Sequence, residues 1–378
     1  MQDLSSKSSV IIEERLLESG LKIGYATLNT PKSLNALSLP MIDILLPQLK
    51  CWLSSSEIAI IVLQGSGDKA FCAGGDVVSI YHDLANKHEI NARKTLNDEE
   101  VLNCLGVDFF TKEYELDQLI HHATKPILVW ADGYVMGGGI GLVAGASHRV
   151  VTQKTVMAMP EVTIGLYPDV GASWFLNQMP PGVGLFLGLT GMTFNGHDAT
   201  FLKLADHIIN SENIALVNES LLDVAWTTNE KTNHLMLTDI INKFSLSAEQ
   251  QSEAFIENEI ATIQKVTSFD NIIAIYQAIV SEKTTSDWFR QAQKKLSHGS
   301  PLSAHIIYQQ LMACQGLSVT ECFIKEFNLS LRCCQFAEFC EGVRALLVDK
   351  DKQPQWFYKN IAAVAEKQVK WFFTDIKQ

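Results

Sequence analysis

Glu161 and Asp169 are the residues in this chain most suited to chemistry by type and setting. They lie eight positions apart in Met159-Pro160-Glu161-Val162-Thr163-Ile164-Gly165-Leu166-Tyr167-Pro168-Asp169-Val170-Gly171, a stretch otherwise apolar or small. An acid among apolar neighbours has its charged form disfavoured unless partnered, which is the setting for acid–base or nucleophilic work. Each also has a plainer reading. Glu161 can belong to a structural ion pair, and Asp169 can cap the helix that follows. Two glycine clusters precede them. Lys69-Ala70-Phe71-Cys72-Ala73-Gly74-Gly75-Asp76 follows an apolar run. Its adjacent glycines allow close backbone approach and turns closed to other residues. Such a segment either aims N–H groups at a developing negative charge or is an ordinary strand-to-helix turn with Asp76 as N-cap. In Met136-Gly137-Gly138-Gly139-Ile140-Gly141, a glycine-lined helix start offers free N–H donors to an oxyanion or phosphate; the plainer reading is tight helix–strand packing.

Other chemistries are poorly represented. The second cluster does not match G-x-G-x-x-G, so a dinucleotide site is weakly indicated. No G-x-S-x-G elbow occurs. His121-His122 precede Lys125-Pro126 and are expected to be solvated or capping. Eight cysteines, at 51, 72, 104, 314, 322, 333, 334 and 340, show neither C-x-x-C nor paired Cys/His spacing. They predict reduced buried thiols, with no metal site and no disulfide frame; Cys333-Cys334 is expected inside a helix.

The elements that must position these residues alternate in type. Lys22–Leu28, Ile58–Leu63, Ile127–Ala131 and Arg149–Thr152 read as strands, the continuous apolar runs suiting a sheet buried on both faces. Residues 39–53 and 100–122 have helical spacing. Strands alternating with helices predict an α/β fold with crossover connections. After about residue 205 the strand runs stop, and 246–262, 269–282, 301–314 and 318–340 read as helices. The polar stretch 82–99 is a candidate loosely packed segment. No internal repeat is visible.

The 378 residues are 47% apolar and carry a net charge of −12. That supports a sizeable core and disfavours a partner such as duplex nucleic acid, which requires a basic surface. No run approaches the roughly 20 apolar residues of a membrane span. The first 20 residues lack an apolar secretory core and an Arg-rich transit pattern, which predicts a cytoplasmic chain.

Taken in order, Leu28-Asn29, Asn35-Ala36-Leu37, AFCAGGD, MGGGIG and MPEVTIGLYPDVG resemble the crotonase (enoyl-CoA hydratase/isomerase) superfamily. Within it the chain looks most like the 3-hydroxyisobutyryl-CoA hydrolase subgroup. Ser300-Pro301-Leu302-Ser303, Phe339-Cys340-Glu341-Gly342-Val343-Arg344-Ala345 and Asp349-Lys350-Asp351 carry the likeness to the C-terminal part. The resemblance implies a spiral of ββα repeats in a catalytic core over residues 1–205, with a mostly helical region over 206–378. It implies an oxyanion hole from the backbone N–H groups of Gly75 and Gly138, catalysis by Glu161 with Asp169, substrate contacts at Glu113, Gly138, Glu161 and Asp169, and CoA bordered by Lys69, Ala70, Phe71 and Ala73. The implied partner is an acyl-CoA, here a short 3-hydroxyacyl-CoA of valine catabolism, with no separate cofactor. A trimer-based homo-oligomer is a further implication. Hydratases of the family use a second glutamate where this chain has Gly141. That departure argues against a hydratase and for a hydrolase; the alternatives are an enoyl-CoA hydratase or isomerase on the same fold and a non-catalytic acyl-CoA binder.

Overall fold

The fold is that of a computed structural model, which describes residues 8–87, 95–247 and 253–376. Ten strands follow in chain order: β1 (Val10–Leu16), β2 (Lys22–Leu28), β3 (Ile58–Gly65), β4 (Ala70–Cys72), β5 (Ile127–Ala131), β6 (Tyr134–Met136), β7 (His148–Val151), β8 (Val156–Ala158), β9 (Phe194–Asn195) and β10 (His207–Ile208). A six-stranded sheet has the order β1-β2-β3-β5-β7-β10, and a four-stranded sheet the order β4-β6-β8-β9. The chain visits the two sheets alternately. β3, β5 and β7 join the first, and each is followed within a few residues by β4, β6 or β8 in the second. Helices Val77–Lys87 and Gly138–Ala144 follow β4 and β6, which is the ββα repeat that the resemblance implied. After β8 the third repeat has only a 3₁₀ turn, Glu161–Ile164.

Contacts group the chain into two compact units. The first comprises Met1–Gly75, Glu115–Met157 and Phe194–Phe255. Its six-stranded sheet is parallel except at β1, which pairs antiparallel with β2. Ile58–Leu63 of β3 is buried at every position, as a parallel strand covered on both faces requires. Each Ile, Val and Leu side chain of this run contributes roughly 2 kcal/mol by leaving water. Helix Leu39–Ser54 provides the β2–β3 crossover. It packs through Trp52 on Gly24, where a Cβ would stand 2.8 Å from the indole. β1 is absent from the sequence expectations because Glu13, Glu14 and Arg15 are exposed on an edge strand, so its apolar pattern is short. His121 departs from its expected solvation. It packs against Gly145, and burial lowers its pKa to about 4; His122 is exposed.

The second unit comprises Asp76–Tyr114, Ala158–Thr193 and Ile256–Gln378. It is helical, with Ile256–Thr267, Ile272–Ser281, Asp287–His298, Pro301–Ala313, Val319–Gln335, Ala337–Val343 and Glu366–Phe372 in its C-terminal stretch. The units interleave in sequence, so a cut at 205/206 falls within Phe194–Phe255 of the first. The single helix expected over 100–122 is two, Asp98–Leu102 and Leu105–His121. The break at Asn103 is set by tertiary partners: Lys87 takes the Asn103 carbonyl, and Asp83 accepts from Leu105 N–H at 2.8 Å. The stretch 82–99 is helical up to Lys87, and Leu96 is buried ahead of the Asn97 capping box. Residues 88–94 of it lie outside the described residues. The helix expected from 246 runs from Ile256; 248–252 likewise lie outside the description. All eight cysteines are free thiols, and Cys333-Cys334 sit inside Val319–Gln335. No helix among the described residues is long and apolar enough to cross a membrane.

Candidate active site

The first unit carries the glycine clusters. β4 pairs with β6, Ala70 with Tyr134 and Cys72 with Val135, which brings the two glycine clusters side by side. Gly139 makes this approach possible, since any Cβ there would overlap the Cys72 carbonyl. Gly137 has φ +48° and starts helix Gly138–Ala144. The N–H groups of Gly75 and Gly138 have no acceptor among the described residues. Asn35, fully buried, fixes the loop from outside the clusters. Its Nδ2 donates to the carbonyls of Ser66 and Ala70, both at 2.9 Å, and its Oδ1 accepts from Thr30 N–H at 2.9 Å. Leu37 N–H then donates to Gly74 O, and Ala73 N–H to Leu34 O. Asn35 and Leu34 both have φ 55°, a conformation that Asn tolerates better than most residues.

The second unit carries the buried carboxyls. Glu161 opens its 3₁₀ turn and is 5% exposed; its Oε2 has no hydrogen-bond partner among the described residues. The turn is held on several sides. Ser300 N–H donates to Val162 O, and Lys295 Nζ donates at 2.7 Å to Gly191 O, Gly191 itself lying against Pro160. Gly165 has φ +71° and lies so close to the Glu338 carbonyl that a side chain would overlap it. Glu338 in turn accepts from Ser300 Oγ at 2.6 Å and from Phe357 N–H at 2.8 Å.

Asp169 is also 5% exposed and accepts from Tyr114 Oη at 2.6 Å. It does not cap the following helix. That task falls to Glu326, whose carboxylate accepts from Gly171 N–H and Ser173 N–H, both at 2.8 Å. The intervening Val170 has φ 54°, a strained setting for a β-branched residue that the surrounding bonds must hold. Glu113 is 2% exposed, one position before Tyr114 on the same helix.

Among the described residues, no cation is among the charges that act on Glu161 or Asp169. Burial, then the charge of Asp169, holds the Glu161 carboxyl well above the usual range. Burial pushes Asp169 up to about 6, against the pull of the Tyr114 hydrogen bond. The ion-pair reading of Glu161 therefore fails among the described residues: its charged neighbour is another acid. Two buried acids whose proton affinities are pushed upward and apart can divide the acid and base roles between them.

A family model described as enoyl-CoA hydratase/isomerase matches residues 23–373. The chain belongs to this family. Among curated family members it is 34% identical to the 3-hydroxyisobutyryl-CoA hydrolase, mitochondrial, of Danio rerio, over 99% of this chain and 92% of that one. It is likewise 34% identical to the protein of that name from Homo sapiens, over 98% and 91%. The crystal structure of a carnitinyl-CoA dehydratase from Mycobacterium thermoresistibile superposes with a TM-score of 0.81 at 27% identity, covering 97% of this chain and 96% of that one. The crotonase fold expected from sequence is therefore the fold of the chain. The cytoplasmic expectation finds no support, since the relatives' names say mitochondrial.

Within this family member, the position where the resemblance places the second hydratase glutamate is Gly141, buried inside its helix. Of the residues expected to border CoA, Lys69 is exposed and Ala73 half-buried. Ala70 and Phe71 are core: Phe71 lines a small internal cavity with Leu28, Leu45 and Leu142. Sequence reading missed Tyr114, Glu326 and Ser330. A signal for the last two exists, because they fall on the stripe Cys322, Phe323, Glu326, Leu329, Ser330, Cys333. Polar residues on a buried helical face are the informative exception to amphipathic spacing.

Proposed function

We propose that the chain hydrolyses a short 3-hydroxyacyl-CoA thioester, 3-hydroxyisobutyryl-CoA foremost, to the free hydroxy acid and CoA, as an acyl-CoA thioesterase. The observation that carries this reading is the pair of buried carboxyls, Glu161 and Asp169, in a chain with Gly141 in place of the family's second glutamate. The names of the relatives support it. Attack at the thioester carbonyl places negative charge on oxygen, and the N–H groups of Gly75 and Gly138 are assigned to that charge. In its ionised form Glu161 takes the proton of the attacking water and passes it to the CoA sulfur as the C–S bond breaks; alternatively it attacks the carbonyl itself and expels the CoA thiolate, and water then hydrolyses the resulting mixed anhydride, restoring the Glu161 carboxylate and supplying the proton that the sulfur takes. Its raised proton affinity makes Glu161 a stronger base than an exposed carboxylate. Asp169 and Glu113 are assigned to the substrate's 3-hydroxyl group and its surroundings, and Lys69 and Ala73 to the border of CoA.

A thiol-release assay over short acyl-CoAs tests the reading. Free CoA from (S)-3-hydroxyisobutyryl-CoA, with no hydration of crotonyl-CoA, is the expected result. Hydration or double-bond migration without CoA release would replace it with a hydratase or isomerase, and no turnover on any substrate with an acyl-CoA binder. Turnover in ¹⁸O-water separates the two roles of Glu161, because label entering its carboxylate marks an anhydride. Light scattering tests the trimer-based assembly. Cell fractionation fixes the compartment: co-migration with matrix markers would match the relatives' names, and with cytosolic markers the sequence expectation.

A further inference from the structure

Behind Asp169 lies a chain of hydroxyls. Tyr114 Oη is 2.6 Å from Asp169 Oδ2 and 2.7 Å from Ser330 Oγ; Ser330 Oγ is 2.9 Å from Tyr167 Oη; and Tyr167 Oη donates at 2.7 Å to the carbonyl of Glu326. All the participants are buried. A hydroxyl carries one proton, and a carboxylate or carbonyl carries none. With Asp169 ionised, three protons serve four contacts, and one oxygen pair faces without a hydrogen. With Asp169 protonated, four protons serve four contacts, each group donating to the next from the acid to the Glu326 carbonyl.

We propose that Tyr114, Ser330 and Tyr167 are positioning residues for Asp169, and that their proton count governs whether Asp169 acts as a carboxylate or as a proton donor. This rests on the hydrolase reading only for the consequence in turnover; the count itself does not. Tyr114 favours the carboxylate by donating to it. Ser330 opposes the carboxylate, because it creates the two contacts that a single proton must share. Among the described residues, titratable groups that act on Asp169 or feel its charge include Tyr114, Tyr167, Glu161, Glu326 and Cys333, none of them a cation. The Tyr114 donation is thus the polar counterweight to burial, which holds Asp169 at about 6.

The two ends of the chain predict shifts of opposite sign. Tyr114→Phe removes the donor and should raise the Asp169 midpoint by about one pH unit. Ser330→Ala leaves two contacts with two protons, removes the deficit, and should lower the midpoint by about half a unit. The readout is an infrared difference titration of the full chain, with Asp169→Asn subtracted to isolate the carboxyl band. The acidic limb of kcat/KM for CoA release should move with it, up in Tyr114→Phe and down in Ser330→Ala. Shifts in the same direction, or none, would overturn the proposal, since loosened packing has no reason to act with opposite sign. Should the wild type release no CoA from any acyl-CoA, the hydrolase reading falls, and the infrared arm alone judges the hydroxyl chain.

Discussion

The glycine clusters of the first unit and the acids of the second are built on opposite principles. In the first, the groups assigned a function are backbone amides, and the sequence acts by leaving side chains out: Gly139 is bare so that it can lie against the Cys72 carbonyl where β4 pairs with β6. In the second, the groups assigned a function are side chains, and among the described residues no cation acts on Glu161 or Asp169. Glu161, Asp169 and Glu326 are all buried, and burial raises the proton affinity of each. The first unit handles an acid differently: Arg149 grips Asp206 at 2.6 Å, and this outweighs burial to lower the carboxyl. The comparison teaches that the backbone part is sensitive to added volume, and the acidic part to removed protons and donors.

The largest expected effect breaks the acidic part. Glu161→Gln should cut CoA release about 100- to 10,000-fold. It should also raise the melting temperature at neutral and alkaline pH, because a buried ionisable group without a cation is gone. Unchanged turnover would return Glu161 to a structural role. Asp169→Asn should lower kcat, raise KM, or do both.

The pH dependence of stability sharpens the comparison. Unfolded carboxyls titrate near ~4. Folded Asp169 keeps its proton to about 6 and Glu326 to about 8. Between those values the folded state binds more protons than the unfolded one, so stability contributed by these groups falls as pH climbs from about 4 to about 8 and then levels off. Asp206 has the opposite sign: its contribution is present above ~4 and is lost in acid. Urea midpoints at pH 5, 7 and 9 should decline, and Glu326→Gln should flatten the upper part of that decline.

Two smaller effects probe the backbone part. Asn35→Ala strands the Ser66 and Ala70 carbonyls and the Thr30 N–H, and places Ala at φ 55°. A loss of about 2–3 kcal/mol in denaturant unfolding is expected, with slower CoA release. Gly139→Ala drives a methyl into the Cys72 carbonyl. It should cost about 1–3 kcal/mol and impair turnover even though no ionisable group changes. Normal turnover in Gly139→Ala would show that the amide geometry tolerates displacement.

Much of this molecule was legible in its sequence. Strands β3 and β5 follow from uninterrupted apolar runs, the repeat from strand–helix alternation, and the glycine clusters from residue type alone. Glu161 and Asp169 stood out as acids among apolar residues, and the family motifs ordered all of them. These features are local: periodicity, glycine and burial tendency operate within a few residues. Tertiary structure alone decided what the acids face. Asp169 finds Tyr114, 55 residues away, and Ser330 joins through Tyr114 from 216 further on; Glu326 reaches back 155 residues to the Gly171 amide. The break at Asn103 and the choice of Glu326 over Asp169 as helix cap have the same origin. A buried polar group must find its partner wherever folding brings one, and the pairing of donors with acceptors across such separations leaves no periodic trace in the chain.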